Sequence, residues 1–131
     1  ETLISDTSIS EVLELASRAD VAIIGIGSPS AQSSTIRQTR YYTDKELNAL
    51  QKAHAVSDIC WIFLDRDGNV CPIELNQRVI GITVDKIKAI PNVIAVAGGT
   101  EKQDAILAAL KGGYINVLVT DEKTAEFLLN Q

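Results

Sequence analysis

Methionine is absent from this chain of 131 residues, position 1 included. Glu1 therefore does not read as a translation start, and the expectation is a processed chain or a piece of something longer. Histidine occurs once, as His54, and cysteine twice, as Cys60 and Cys71. That supply gives no His/Cys cluster with zinc spacing. With no G-x-S-x-G elbow, a Ser-His-Asp triad has no motif behind it either. His54 closes a helical run, where the helix dipole favours an imidazolium. Long apolar runs are missing: none approaches the ~20 residues of a membrane helix. The first ten residues, ETLISDTSIS, are polar and acidic and do not read as a signal peptide. Positive charge is short as well. Lys and Arg number 12 against 17 Asp and Glu, a net charge of −5. A nucleic-acid surface in this chain is argued against, because phosphate contacts need clustered cations.

What is present fits one domain over residues 1–131. The chain is 46% hydrophobic and 22% charged, an ordinary globular balance that can bury a core. Both cysteines sit in apolar, strand-like runs. If Asp67-Gly68 is a two-residue hairpin loop, Leu64 rather than Cys60 lies opposite Cys71. Two buried, reduced thiols and a cytoplasmic setting are then expected.

Hydrophobic spacing orders the elements. Ser8 with Glu11 reads as a capping box, followed by Ile9, Val12, Leu13 and Ala16 at helical spacing to about Ala19–Asp20. Val21 to Ile26 is β-branched and apolar, a strand buried on both faces. Residues 28 to 42 are polar, carry Arg37 and Arg40, and form a loop or short helix. Thr43 and Glu46 start the next helix. Ile59 to Leu64 and Val70 to Ile73 read as a hairpin around Arg66-Asp67-Gly68-Asn69. Thr83 caps a helix stopped by Pro91-Asn92, and Val93 to Val96 is a strand running into Gly98-Gly99. Thr100 caps Glu101 to Lys111, ended by Gly112-Gly113. Ile115 to Val119 is a strand, and Thr120 caps the last helix. Alternating strands and helices predict an α/β, three-layer, Rossmann-like parallel sheet with a small antiparallel hairpin. The chain opens on a helix, which hints at an upstream strand or half-domain.

Ligands of open parallel sheets bind at the C-terminal strand ends. Those ends are Gly27-Ser28-Pro29-Ser30, Gly98-Gly99-Thr100-Glu101-Lys102 and Thr120-Asp121. A glycine loop feeding a helix start attracts phosphate or carboxylate. Lys102 opposes the helix dipole there, which an anionic ligand would resolve. A solvated lysine beside Glu101 and Asp104 is the other reading. Asp58 precedes an apolar strand and reads as a turn residue or as an acceptor for sugar hydroxyls. Gly25-x-Gly27 lacks the third glycine of a dinucleotide fingerprint. Asp65 to Asn69 lacks the sixth-place glycine and closing Glu of a calcium loop. No cofactor motif stands out.

The segment VAGGTEKQDAILAALKGGYINVLVTDEKTAEFLL resembles the C-terminal end of the effector-binding domain of SorC-family bacterial transcriptional regulators. VAIIGIGSPS, HAVSDICWIFLDRDGNV and RVIGITVDKIKAIPNVIAVAGG extend the likeness over nearly the whole chain. The resemblance implies a fold similar to sugar-phosphate isomerases and deaminases, and a homo-oligomer sensing a phosphorylated sugar or related metabolite. It also implies operator DNA bound only through a helix-turn-helix outside this chain. Mapped by motif, Lys102, Gly98 and Gly99 would meet the effector's charged end. Gly27 and Ser28 would line the pocket, and Asp58 would take hydroxyls. Ser57 and Trp61 stand where the family commonly has glycine. The alternatives are a sugar-phosphate isomerase- or deaminase-like enzyme, using Asp58 and Glu101, and a dimerisation module without a ligand.

Overall fold

The computed structural model describes residues 3–30, 36 and 41–131. Glu1, Arg37 and Arg40, named above, lie outside the described residues. Helix α1 (Thr7–Ser17) opens the fold. Its cap is Asp6, whose carboxylate accepts the Ser8 amide at 2.9 Å and the Ser8 hydroxyl at 2.5 Å. Ser8 is therefore inside the first turn, and the capping box expected with Glu11 does not form. The helix ends at Ser17. None of its residues is buried.

Strands β1 (Val21–Gly25), β4 (Asn92–Val96) and β5 (Val117–Val119) form a parallel sheet in the order β1-β4-β5. Ala22 pairs with Val93, Ile24 with Ala95, and Ala95 with Leu118. Side chains alternate across a strand, so these five share one face. That face packs into the main core with Ile87, Ala105, Ile106 and Ala109. Each large apolar side chain moved from water into such a core contributes about 1.5–3 kcal/mol. The opposite row differs from expectation. Val21, Ile23, Val96, Val117 and Val119 are all exposed, Ile23 at 74%. Two-sided burial of β1 is corrected to one-sided, because no helix among the described residues buries that row. Strand β5 starts at Val117 rather than Ile115. Asn116 is diverted to hold the Val93 amide at 2.8 Å and to donate to the Pro91 carbonyl at 2.8 Å.

The antiparallel pair is β2 (Ser57–Ile59) with β3 (Ile62–Leu64). Its turn is Cys60-Trp61. Both turn residues have positive φ, 51° and 66°, the geometry of a tight hairpin usually given to Asn-Gly. The expected Asp67-Gly68 turn forms too, with Leu64 bridged antiparallel to Val70 and the Asp65 amide donating to the Asn69 carbonyl at 2.9 Å, and it also docks on the end of helix α5 (Gln103–Lys111). Gly68 has φ 81°, the Tyr114 hydroxyl donates to its carbonyl at 2.9 Å, and a Cβ there would lie 2.5 Å from the Ala108 carbonyl oxygen. Both thiols are free. Cys71 is buried, and burial pushes it up to about 11.

Helix α2 (Asp44–Lys52) carries the expected Thr43–Glu46 capping box. Its Leu50 joins Ile36, Phe63 of β3, Cys71, Ile73 and Leu75 in a second cluster. Helices α3 (Glu74–Gln77) and α4 (Val84–Ala89) follow, the latter capped by Thr83. A 3-10 turn, Thr100–Lys102, precedes α5. Thr100 is inside that turn and is not its cap, which is Gly99. Helix α6 (Glu122–Leu129) is capped by Asp121 rather than Thr120. The longer reach of a carboxylate one residue later meets the Thr124 amide at 3.0 Å.

Candidate functional site

Three loops meet at the C-terminal edge of the sheet. The end of β1 and the start of β2 are laced together: the Gly27 amide donates to the Asp58 carbonyl at 2.8 Å, and the Asp58 amide to the Gly27 carbonyl at 2.9 Å. A Cβ on Gly27 would lie 3.0 Å from Asp58 Oδ2. Glycine at 27 thus lets the carboxylate lie against bare backbone. Asp58 Oδ1 accepts the Trp61 amide at 2.8 Å. Burial raises its carboxyl to about 6, while the Trp61 hydrogen bond and the Lys102 charge pull the other way. Burial without a full partner disfavours the ionised form, which is the usual origin of such a rise.

Lys102 ends the 3-10 turn and heads α5, and no side chain caps either. Asp6, Thr43, Thr83 and Asp121 cap other helices. The helix start beside Lys102 therefore presents partial positive charge in addition to the ammonium. Its field reaches Asp58.

The Gly98-Gly99 loop differs from the expected cradle. The Gly99 amide donates to Asp121 Oδ2 at 2.6 Å. Asp121 also accepts the Thr124 hydroxyl at 2.8 Å. These donors, Gly99 first, hold it down at about 2. A Cβ on Gly98 would lie 2.5 Å from the same oxygen. So the protein's own carboxylate takes the Gly99 amide that was assigned to a ligand. Gly99, with φ 98°, has open space on its Cβ side.

The structure thus laces Gly27 to Asp58 and sets that carboxyl within the field of Lys102. It ties Gly98 and Gly99 to Asp121. Ser28 is buried, with its hydroxyl 3.1 Å from that of Ser30. The sequence marked Asp121 only as part of the Thr120-Asp121 strand end; its roles as helix cap and as partner of Gly99 were hidden because adjacent Thr120 offered an equally good cap signal. Sequence reasoning missed Tyr42, which lies in a stretch without periodicity and stacks on Trp61 with ring centroids 6.5 Å apart. No group of three or more His, Cys, Asp or Glu among the described residues could hold a metal ion. No helix among them is long and apolar enough to cross a membrane.

A carboxylate acceptor within the field of an ammonium at an uncapped helix start suits a polar ligand with hydroxyls at one end and an anion at the other. The fold and this edge define an α/β small-molecule-binding domain. The chain matches the model of the Sugar-bind family, a sugar-binding domain, over residues 1–130, and it belongs to that family. It is 40% identical over 126 residues to the transcriptional regulator LsrR of Enterobacter sp. strain 638, covering 95% of this chain and 39% of that one. The deoxyribonucleoside regulator of Bacillus subtilis is 36% identical over 125 residues, with the same two shares, 95% and 39%. Among solved structures, a DeoR family transcriptional regulator from Listeria monocytogenes superposes with a TM-score of 0.91 at 35% identity, over 97% of this chain and 51% of that one. The full-length sorbitol operon regulator SorC from Klebsiella pneumoniae gives 0.90 at 32% identity, over 98% and 41%. The chain thus spans about two fifths of the length of the LsrR and deoxyribonucleoside regulators it matches. The parallel α/β sheet with a separate antiparallel pair agrees with the fold read from the sequence.

Proposed function

We propose that this domain is the effector-sensing part of a bacterial transcriptional regulator and that its effector is a phosphorylated sugar or related metabolite. The observation that carries the reading is Asp58: a half-buried carboxylate laid against Gly27 and under the charge of Lys102, which stands at an uncapped helix start. Asp58 accepts effector hydroxyls. Lys102 and the amides at the head of α5 meet the phosphate, with Gly27 and Gly99 keeping the approach open. Gly98 contributes by letting Asp121 close the loop, and buried Ser28 shapes the β1 end. Relatives that are transcriptional regulators support sensing over catalysis. Effector binding biases one conformation of a homo-oligomer, and that difference in binding energy alters operator affinity through a DNA-binding segment elsewhere in the regulator. The setting is the bacterial cytoplasm, where operator DNA lies.

The test is a thermal melt of the chain with a panel of sugar phosphates, and with inorganic phosphate alone. A ligand at 100 times its Kd adds about 2.7 kcal/mol, so at least one sugar phosphate is expected to raise the midpoint by several degrees. Lys102→Ala and Asp58→Asn should each remove most of that rise. A panel that leaves the parent unmoved defeats the reading. Turnover of a sugar phosphate, lost in Asp58→Asn, would favour the isomerase- or deaminase-like alternative.

A further inference from the structure

The Cys60-Trp61 turn has no packing reason to carry tryptophan. Trp61 is 46% exposed, and its φ of 66° is a conformation glycine adopts freely and a bulky residue does not. Its backbone and its ring nevertheless face two useful places. The amide donates to Asp58 Oδ1 at 2.8 Å, so the residue is fastened to the site carboxylate. The ring stacks on Tyr42 at 28°. Tyr42 in turn stands edge-on to Phe63 at 6.4 Å, which anchors the pair in the second core cluster. Burial raises the Tyr42 hydroxyl above its ordinary value, with the Asp58 charge the next cause, so this ring too is near the carboxylate.

Over the pair lies a cavity of about 500 Å³ whose lining includes Tyr41, Tyr42, Trp61, Arg78 and Ile80. Glu46 also lines it, ion-paired with Arg78. Aromatic rings and an arginine in one lining match a closed sugar ring. The ring's C–H face lies on aromatic carbon, and a hydroxyl accepts from Arg78, while Glu46 is held by Thr43 and Arg78. An open-chain polyol offers the same hydroxyls but no flat face.

We propose that the Tyr42–Trp61 pair is a stacking subsite of the effector pocket that selects ring-closed sugars over their open-chain counterparts. The proposal rests on the sugar-phosphate reading of Asp58 and Lys102. It adds the residue that sets ligand shape.

Matched ligands test it: glucose 6-phosphate against sorbitol 6-phosphate, and ribose 5-phosphate against ribitol 5-phosphate. Each pair differs in ring closure. Trp61 is the only tryptophan of the chain, so its emission reports on this subsite alone, and calorimetry gives Kd. The expected result is that at least one cyclic ligand binds about tenfold tighter than its open-chain partner and shifts the emission saturably. Trp61→Gly should lower the affinity for the cyclic ligand about tenfold and so remove that preference. The variant is expected to fold, because glycine takes φ 66° without strain. Trp61→Phe should keep most of the preference, and Tyr42→Leu should weaken it. Equal affinities within both pairs, or a preference that survives Trp61→Gly, overturns the subsite and leaves the Asp58–Lys102 reading standing. If none of the four ligands binds the parent, and Lys102→Ala changes nothing, the sensing reading falls and the subsite with it.

Discussion

Two aspartates at the same sheet edge have opposite fates. Asp121 receives the Gly99 amide, the Thr124 amide and the Thr124 hydroxyl and is held at about 2. Asp58 is more buried, receives the Trp61 amide, and rises to about 6. The first is spent on structure, as the cap of α6 and the lock on the Gly98-Gly99 loop. Among the described residues the second accepts the Trp61 amide alone, and such remaining acceptor capacity is the electrostatic condition for reading a ligand. A strand-end carboxylate is thus a candidate for binding in proportion to what its own loop leaves unsatisfied.

The largest expected effect breaks the structural member of the pair. Gly98→Ala places a methyl 2.5 Å from Asp121 Oδ2. By pushing that carboxylate off Gly99 and Thr124 it should cost about 1–2 kcal/mol, within the range of a lost helix cap, seen as a lower urea midpoint at unchanged m-value.

Titration sharpens the contrast. Asp58 has a folded value of about 6 against an ordinary 3.8. Between those pH values the folded chain holds a proton that the unfolded chain has released. Its contribution to stability therefore falls as pH rises from about 4 to about 6, by roughly 1–2 kcal/mol after allowing for partial exposure. Asp121, lowered to about 2, behaves the other way: its contribution is present above pH 4 and is lost as pH falls toward 2. Asp58→Asn is expected to flatten the first slope and leave the second, measured by denaturant melts from pH 3 to pH 7.

The smallest effect falls on Lys102→Ala. A solvent-facing lysine contributes below about 0.5 kcal/mol to folding. Removing it should nonetheless move the Asp58 titration upward, because its charge is one of the two influences holding that carboxyl down. A carboxyl resonance followed by NMR would show an unmoved Asp58 if the two groups are not coupled.

Much of this was legible in the residues. Val93 to Val96, the Thr43–Glu46 box and the helix between Gly99 and Gly112 follow from periodicity and caps, which are local. Gly27, Asp58 and Lys102 were legible as strand-end residues and by resemblance to a family. Three readings fell short for a common reason. Asp67-Gly68 does turn the chain, with Leu64 bridged antiparallel to Val70, but contact with Ala108 and Tyr114 gives that turn a second use, and the paired strands form across Cys60-Trp61. The Gly99 amide looked available until a residue 22 positions away claimed it. The apolar run of β1 looked buried on both sides, but burial belongs to neighbours and not to the strand.

By itself, then, the sequence determined the element order, the parallel α/β class and the family. Hydrophobic period, glycine and capping chemistry act over a few residues and need no partner. Tertiary structure alone decided which carboxylate is satisfied and which is left open. Hydrogen bonds and desolvation depend on groups brought together from distant parts of the chain, and Asp58 and Asp121 are the same residue type until those neighbours arrive.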